Sequence, residues 1–183
     1  MEKLVIRGGK PLRGTVAVSG SKNASLPILA AALLTDERCV LHGVPALRDV
    51  TTMVRILRTI GAKVVQEGDR ITVDPAGYQG IEAPYRLVST MRASFCVLGP
   101  LLAKKHQAKV SLPGGCVIGP RPVDLHLKGL RALGASLDIE GGYVLARARE
   151  LRGRTIYLGG AFGSSVLGTA NVMMAACLAR EPR

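Results

Sequence analysis

The chain has 183 residues, 48% hydrophobic and 21% charged, with 25 Lys and Arg against 13 Asp and Glu and a formal net charge of +12. That apolar fraction excludes a disordered chain, and the length allows one domain with a proper core, or one and a fraction. The basic excess favours anionic partners: nucleic acid, anionic lipid or phosphorylated metabolites.

Of these, nucleic acid fits poorly. With no Trp, two Phe and four Tyr, the chain has too few rings for a base-stacking platform. Its basic residues are scattered, apart from Arg147, Arg149, Arg152 and Arg154, which read as a solvated turn. A membrane span is not expected either. The most apolar run, Ala24 to Leu34, is too short to cross a bilayer and carries Pro27. No apolar stretch follows the charged start Met1-Glu-Lys-Leu4, so no signal peptide is predicted and the expected place is the cytoplasm. Cys39, Cys96, Cys116 and Cys177 form no CxxC pair, and His42, His106 and His126 lack metal-ligand spacing. Neither a disulfide framework, a metal site nor a cofactor is predicted.

In chain order, Ser19-Gly-Ser-Lys22-Asn23 leads into a helix over about Asn23–Leu34 that is apolar on nearly every side. Such a helix must be buried all round. Lys22, at its start, can meet a phosphate or carboxylate as a flexible point charge, although a Lys at a helix start is more often simply solvated. A strand is predicted at Cys39–Leu41. Asp49 then starts an amphipathic helix whose face is Val50, Met53, Val54, Leu57 and Ile60, and Gly61 suits its C-cap. A hairpin follows, Lys63–Gln66 to Arg70–Val73 across Glu67-Gly68-Asp69.

The pattern then returns. An apolar helix is predicted from about Thr90 to Ala103, with Arg92 at its mouth, and a strand at Lys109–Leu112. Arg55-Ile-Leu-Arg-Thr-Ile-Gly-Ala-Lys-Val-Val65 reappears as Lys128-Gly-Leu-Arg-Ala-Leu-Gly-Ala-Ser-Leu-Asp138, with Gly134 as the C-cap. Its hairpin runs from Ser136–Ile139 to Tyr143–Ala146 across Gly141-Gly142. A third copy opens at Gly163-Ser-Ser-Val-Leu-Gly168 with an apolar helix, Val166–Ala179. The repeat is thus an α/β unit with a period of roughly 70–75 residues, and the third copy reads as truncated.

The richest segment joins the second strand to the second amphipathic helix, Leu112-Pro-Gly-Gly-Cys-Val-Ile-Gly-Pro-Arg-Pro-Val-Asp-Leu-His126. Gly114, Gly115 and Gly119 let the backbone approach a ligand, while Pro120 and Pro122 hold Arg121 in place as a bidentate donor for carboxylate or phosphate. Asp124 reads as the N-cap of the helix. A lone loop cysteine is usually an inert small hydrophobe, but beside an arginine and a helix start the thiolate of Cys116 is favoured.

Ser19-Gly-Ser-Lys22-Asn23-Ala24, Thr90-Met-Arg92-Ala-Ser94, the Pro113-Gly-Gly-Cys116 loop and Arg121-Pro-Val-Asp-Leu-His126 together resemble the enolpyruvyl transferase family. Within it the likeness is to the branch acting on UDP-N-acetylglucosamine rather than to enolpyruvylshikimate-phosphate synthase, and it runs from Met1 to about Ala179. The resemblance implies an inside-out α/β barrel of βαβαββ units, helices turned inward, in two domains. This chain would hold 22–183 as the first domain, with units at about 20–88, 89–160 and an incomplete 161–183. Residues 1–21 would supply strands, about Lys3–Arg7 and Thr15–Ser19, that pack with the second domain.

The implied reaction moves the enolpyruvyl group of phosphoenolpyruvate to the 3-hydroxyl of UDP-N-acetylglucosamine and releases phosphate, opening bacterial peptidoglycan and cell-wall synthesis. The implied partners are these two small molecules, with no nucleic acid and no membrane. Cys116, Lys22 and Arg121 would be catalytic, Cys116 as general acid to the methylene carbon. Members with Asp there resist fosfomycin. Lys22, Asn23, Arg92, Arg121, Pro122, Val123, Asp124, Leu125, His126, Gly163, Ser164, Ser165 and Val166 would bind substrate, whereas Arg86 would only face solvent. Leu167 stands where many members have Gly, and Cys96 where some have Trp. The hydroxyl's base and a closing arginine belong to the family's second domain, so the chain alone is expected to be inactive.

Overall fold

A computed structural model describes residues 3–114, 123–160 and 163–181. Helix α1 (Lys22–Ala31) starts at Ser21, whose hydroxyl accepts from the Ala24 amide at 3.3 Å, and it continues as a 3₁₀ turn, Ala32–Leu34. Strand β1 (Cys39–Leu41) leads to the amphipathic α2 (Arg48–Ile60), which buries Val50, Met53, Val54, Ile56, Leu57 and Ile60. Strands β2 (Lys63–Glu67) and β3 (Arg70–Asp74) form the hairpin, and β1 adds beside β3 to give the order β1-β3-β2.

The second unit repeats this plan with additions. A short strand β4 (Glu82–Ala83) and one helical turn, α3 (Tyr85–Val88), precede a 3₁₀ helix (Arg92–Val97) that runs directly into α4 (Leu98–Lys105). Strand β5 (Gln107–Ser111), helix α5 (Asp124–Ala132) and strands β6 (Ser136–Glu140) and β7 (Tyr143–Arg147) follow. Their sheet has the order β4-β5-β7-β6, so β5-β7-β6 copies β1-β3-β2. The third unit begins with two short strands, β8 (Gly159–Gly160) and β9 (Gly163–Ser164), and helix α6 (Val166–Ala176).

The helix-to-hairpin joint has one solution, used twice. Gly61 and Gly134 take φ of +109° and +101°, a left-handed turn that a side chain would strain. Their amides donate to the Arg58 and Arg131 carbonyls, and Ala62 and Ala135 donate to those of Leu57 and Leu130. The same two arginines then reach forward: Arg58 donates to the Val64 carbonyl at 2.7 Å and Arg131 to that of Leu137 at 3.1 Å. Each helix is thereby tied to the strand that follows it.

Helices α1, α4 and α6 pack together inside, with α2 and α5 laid against them. One continuous core includes Leu29, Leu33, Met53, Leu57, Phe95, Leu98, Leu101, Leu102 and Leu130. The apolar helices approach closely because glycine permits it. A methyl group on Gly99 of α4 would meet the Asn171 carbonyl of α6, and one on Gly129 of α5 would meet Val172. This is an inside-out arrangement of α/β units, as the resemblance implies.

Several expectations need correction. Residues 3–20 pair with no described strand, and Leu4, Val5, Ile6, Leu12, Val16 and Val18 stand exposed; the partner that the resemblance implies for them is the second domain. A lone extended segment gains no ladder partner and so no strand. Burial all round also fails for two helices, because Ile28 of α1 and Val166 and Met173 of α6 are exposed where no described element covers them. Helix α6 stops at Ala176 rather than Ala179. Asp49 and Asp124 are not N-caps: Leu47 and Val123 hold that place, without a side-chain bond, and both aspartates lie in the first turn. There they meet the partial positive charge of the helix start. Of the thiols described, Cys96 alone is buried, while Cys39 is half-buried and Cys177 exposed. The basic cluster after β7 is also not simply solvated, since the Glu150 carboxylate holds Arg152 and Arg180 at 2.9 and 2.7 Å. No helix among the described residues is long and apolar enough to cross a membrane.

Candidate active site

Three structural starts converge on one cavity of about 380 Å³. The 3₁₀ helix opens with Arg92 and brings Phe95 one turn later. Helix α5 opens with Asp124, Leu125 and His126. The β8–β9 pair and the head of α6 supply Gly160, Gly163, Ser164, Ser165, Val166 and Leu167. Ser165 caps α6, its hydroxyl accepting from the Gly168 amide at 3.0 Å. Two helix N-termini and the Arg92 guanidinium therefore meet at one opening. Helix starts carry partial positive charge and unpaired N–H groups, so the arrangement suits an anion. Asp124 sits among them as the opposing charge and leaves the rim bipolar.

His126 forms the cavity's inner wall. It is 4% exposed, and its ring meets Phe95 edge-on at 5.1 Å between centroids. Its Nδ1 lies 2.9 Å from the Asn171 side-chain nitrogen. An amide nitrogen only donates, so Nδ1 accepts and the neutral ring carries its proton on Nε2. Burial, and then the nearby Arg92 charge, push the imidazole down to about 4, with Asp124 acting the other way. His126 is consequently neutral at physiological pH.

Asn171 is the residue that the sequence did not single out. Fully buried on α6, it accepts from the Gly99 amide at 2.6 Å and donates to the Phe95 carbonyl at 3.1 Å as well as to His126. Gly99 lies where the 3₁₀ helix passes into the first turn of α4, and Asn171 supplies the acceptor for its amide from across the core. Its partners lie 45 to 76 residues away, which no local pattern reveals. The one available signal was a lone Asn inside an otherwise apolar helix. Phe95 and Gly160 also line the cavity without having been singled out, and so do Pro113, quoted as the start of the Cys116 loop, and Leu167, named as a departure from the family.

The structure thus gathers Arg92, Val123, Asp124, Leu125, His126, Gly163, Ser164, Ser165 and Val166 around one space. Lys22 and Asn23 are not in its lining. Lys22 pairs with Asp49 at 2.8 Å, joining the starts of α1 and α2. Cys116, Arg121 and Pro122 lie outside the described residues, as do Gly115, Gly119 and Pro120. Pro113 and Val123, on either side of that segment, both line the cavity. Gly114 lies against the Ser89 carbonyl, which a methyl group would strike, so its close approach is to the protein's own backbone. Arg86 is exposed on α3 and absent from the lining. Cys96 is unsuited to nucleophilic work: burial pushes its thiol up to about 12, and it faces the Leu167 carbonyl.

Comparison with known proteins agrees with this architecture. A family profile described as EPSP synthase (3-phosphoshikimate 1-carboxyvinyltransferase) matches residues 6–183. A UDP-N-acetylglucosamine 1-carboxyvinyltransferase of Methylacidiphilum infernorum is 55% identical over 98% of this chain, and one of Desulfatibacillum aliphaticivorans is 52% identical. The chain spans 42% of the length of each of these relatives. Among solved structures, the enolpyruvyl transferase NikO from Streptomyces tendae superposes with a TM-score of 0.72 at 21% identity, covering 92% of this chain and 39% of that one. An EPSP synthase from Acinetobacter baumannii gives 0.68 at 20% identity, covering 91% and 38%. At those identities the structural matches speak to fold alone. The profile match, extending over nearly the whole sequence, establishes that the chain belongs to the EPSP synthase family.

Proposed function

We propose that the chain forms part of an enzyme that transfers the enolpyruvyl group of phosphoenolpyruvate to the 3-hydroxyl of UDP-N-acetylglucosamine, releasing phosphate at the entry to peptidoglycan synthesis. The observation that carries this reading is the lining of the cavity. Arg92, Asp124–His126 and Gly163–Val166, far apart in sequence, share one opening with two helix starts. That combination offers charge for a diphosphate and mixed polar and apolar walls for a sugar or base. The relatives more than 50% identical carry this activity in their names, which supports the choice of acceptor.

In the proposed chemistry the sugar hydroxyl adds to the central carbon of phosphoenolpyruvate while a proton goes to its methylene carbon. Loss of a proton and of phosphate from the resulting tetrahedral ketal then restores the double bond. Cys116 supplies the proton to the methylene carbon, and Arg121 with Lys22 offsets carboxylate and phosphate charge. In this reading Lys22 must exchange Asp49 for substrate. The hydroxyl's base and a further arginine come from the family's second domain. The chain alone therefore binds the sugar nucleotide weakly and does not turn over, because closure and exclusion of water are missing.

A phosphate-release assay with phosphoenolpyruvate and UDP-N-acetylglucosamine tests this. The expected result is no release from the 183-residue chain, and release from the longer protein that is lost in Cys116→Ser. Cys116-dependent turnover by the chain alone would place the base within these residues, with Asp124 or Asp49 as first candidate. No release from the longer protein with these substrates would overturn the proposed reaction.

A further inference from the structure

We propose that Asn171 is a positioning residue of the cavity, fixing neutral His126 as the Nε2–H tautomer so that the ring offers a ligand an uncharged hydrogen-bond donor. This deepens the reading of the cavity as a substrate site and rests on it for the identity of the ligand.

The geometry leaves Asn171 little freedom. Its oxygen accepts from the Gly99 amide, so the amide group cannot be turned over without setting N–H against N–H. Both hydrogens on its nitrogen are then assigned, one to the Phe95 carbonyl and one to His126 Nδ1. An imidazole whose Nδ1 accepts has its proton on Nε2, or is forced to break this bond. Nε2 has no partner among the described residues, and the one sealed side-chain polar atom without a bond is Ser94 Oγ. No described residue therefore seals or occupies Nε2, on a ring that lines the cavity.

Among the described residues, the charged groups acting on the ring are Arg92, on the 3₁₀ helix, and Asp124, on its own helix. The faces turned to it by α6 and by Phe95 are uncharged. Arg92 opposes a second positive charge, and the Asn171 donor opposes a proton on Nδ1. Both keep His126 neutral, so it can serve an acceptor oxygen of a ligand without adding charge to a rim that already holds Arg92.

The test uses nitrogen-15 spectra of the His126 imidazole in the intact chain, followed by titration with UDP-N-acetylglucosamine. The expected result is an acceptor-type Nδ1 and a protonated Nε2 down to about pH 5. In Asn171→Asp the oxygen facing Gly99 survives, but the donor to Nδ1 is gone. The proton should then move to Nδ1, or the ring's pKa rise by at least two units, and nucleotide affinity should fall at least tenfold. Asn171→Gln, which keeps a donor, should recover part of that loss. A wild-type His126 protonated on Nδ1 would overturn the proposal even if neither variant folds. So would an unchanged tautomer and pKa in Asn171→Asp. If the wild-type chain and the longer protein both fail to bind the nucleotide while the tautomer is as stated, the ligand assignment falls and the positioning by Asn171 stands.

Discussion

The first and second units share a frame and differ in what occupies it. Five residues before Arg58 stands Met53, and five before Arg131 stands His126. The two positions are related by the repeat. Met53 is fully buried among apolar neighbours, whereas His126 is buried against Phe95 and Asn171 beside a cavity. Two residues before Arg58 is Ile56, fully buried, and two before Arg131 is Gly129, against which Val172 packs. Helix α2 also begins earlier in the repeat than α5, since Arg48 has its counterpart in Arg121. The same scaffold thus carries a core helix in one unit and a shorter, opened helix start in the other. In the proposed function, chemistry is loaded at the head of a helix while its tail, cap and hairpin stay fixed.

Exchanging the paired residues should break this comparison most strongly. Met53→His places an imidazole in an apolar site with no described partner, and a loss of about 3 kcal/mol in urea-unfolding stability is expected. His126→Met should cost only about 1 kcal/mol, because Asn171 keeps its other bonds, yet it should weaken sugar-nucleotide binding about tenfold. Similar stability losses for the two would mean that the positions are not specialised.

A pH series should give the next largest effect. The folded pKa of His126 is lowered to about 4 from an ordinary 6.5, so between these values the unfolded chain binds more protons. The stabilisation from keeping the ring neutral is fully present above pH 6.5 and is lost as pH falls through 6.5 towards 4. The loss amounts to about 3 kcal/mol at most, and in His126→Met this part of the pH dependence should vanish. A profile unchanged by the substitution would mean that the ring titrates normally.

The shared frame should give the smallest and most equal effects. Arg58→Ala and Arg131→Ala each remove a bond to a strand carbonyl, and each should cost about 1 kcal/mol. Thermal melting that separates them by more than twice that would show that the two joints are not equivalent.

The frame was legible in the sequence because it is set by neighbours. Apolar spacing gave α2 and α5, the glycines Gly61 and Gly134 gave their ends, and the turn residues gave both hairpins to within a residue. What failed depended on distance or on context. Asp49 and Asp124 looked like caps, but the helices begin within a residue of them, and a cap is defined by one dihedral pair. Lys3–Arg7 and Thr15–Ser19 have strand-like composition, and the partner implied for them is the second domain rather than any described strand. Thr90–Ala103 became a 3₁₀ helix joined to α4, where Asn171, from another unit, accepts from the Gly99 amide. Cys177 lies on an apolar segment, yet it falls just past the end of α6 and is exposed. The motifs picked out most of the cavity's lining, since a loop between two regular elements is where charged and glycine residues can be spared. They could not show that Lys22 is paired with Asp49, or that His126 is held by a residue 45 positions away.

The most direct test of the central claim, that the head of the second unit's helix and the start of the third unit form the nucleotide site, is an amide-shift titration of the chain with UDP-N-acetylglucosamine. The largest changes are expected on Arg92, Asp124, Leu125, His126, Ser164, Ser165 and Val166, with the equivalent α2 residues Thr51, Thr52 and Met53 unmoved. Saturable changes centred on α2, or on the basic surface around Lys105, Arg147 and Arg149, would contradict it.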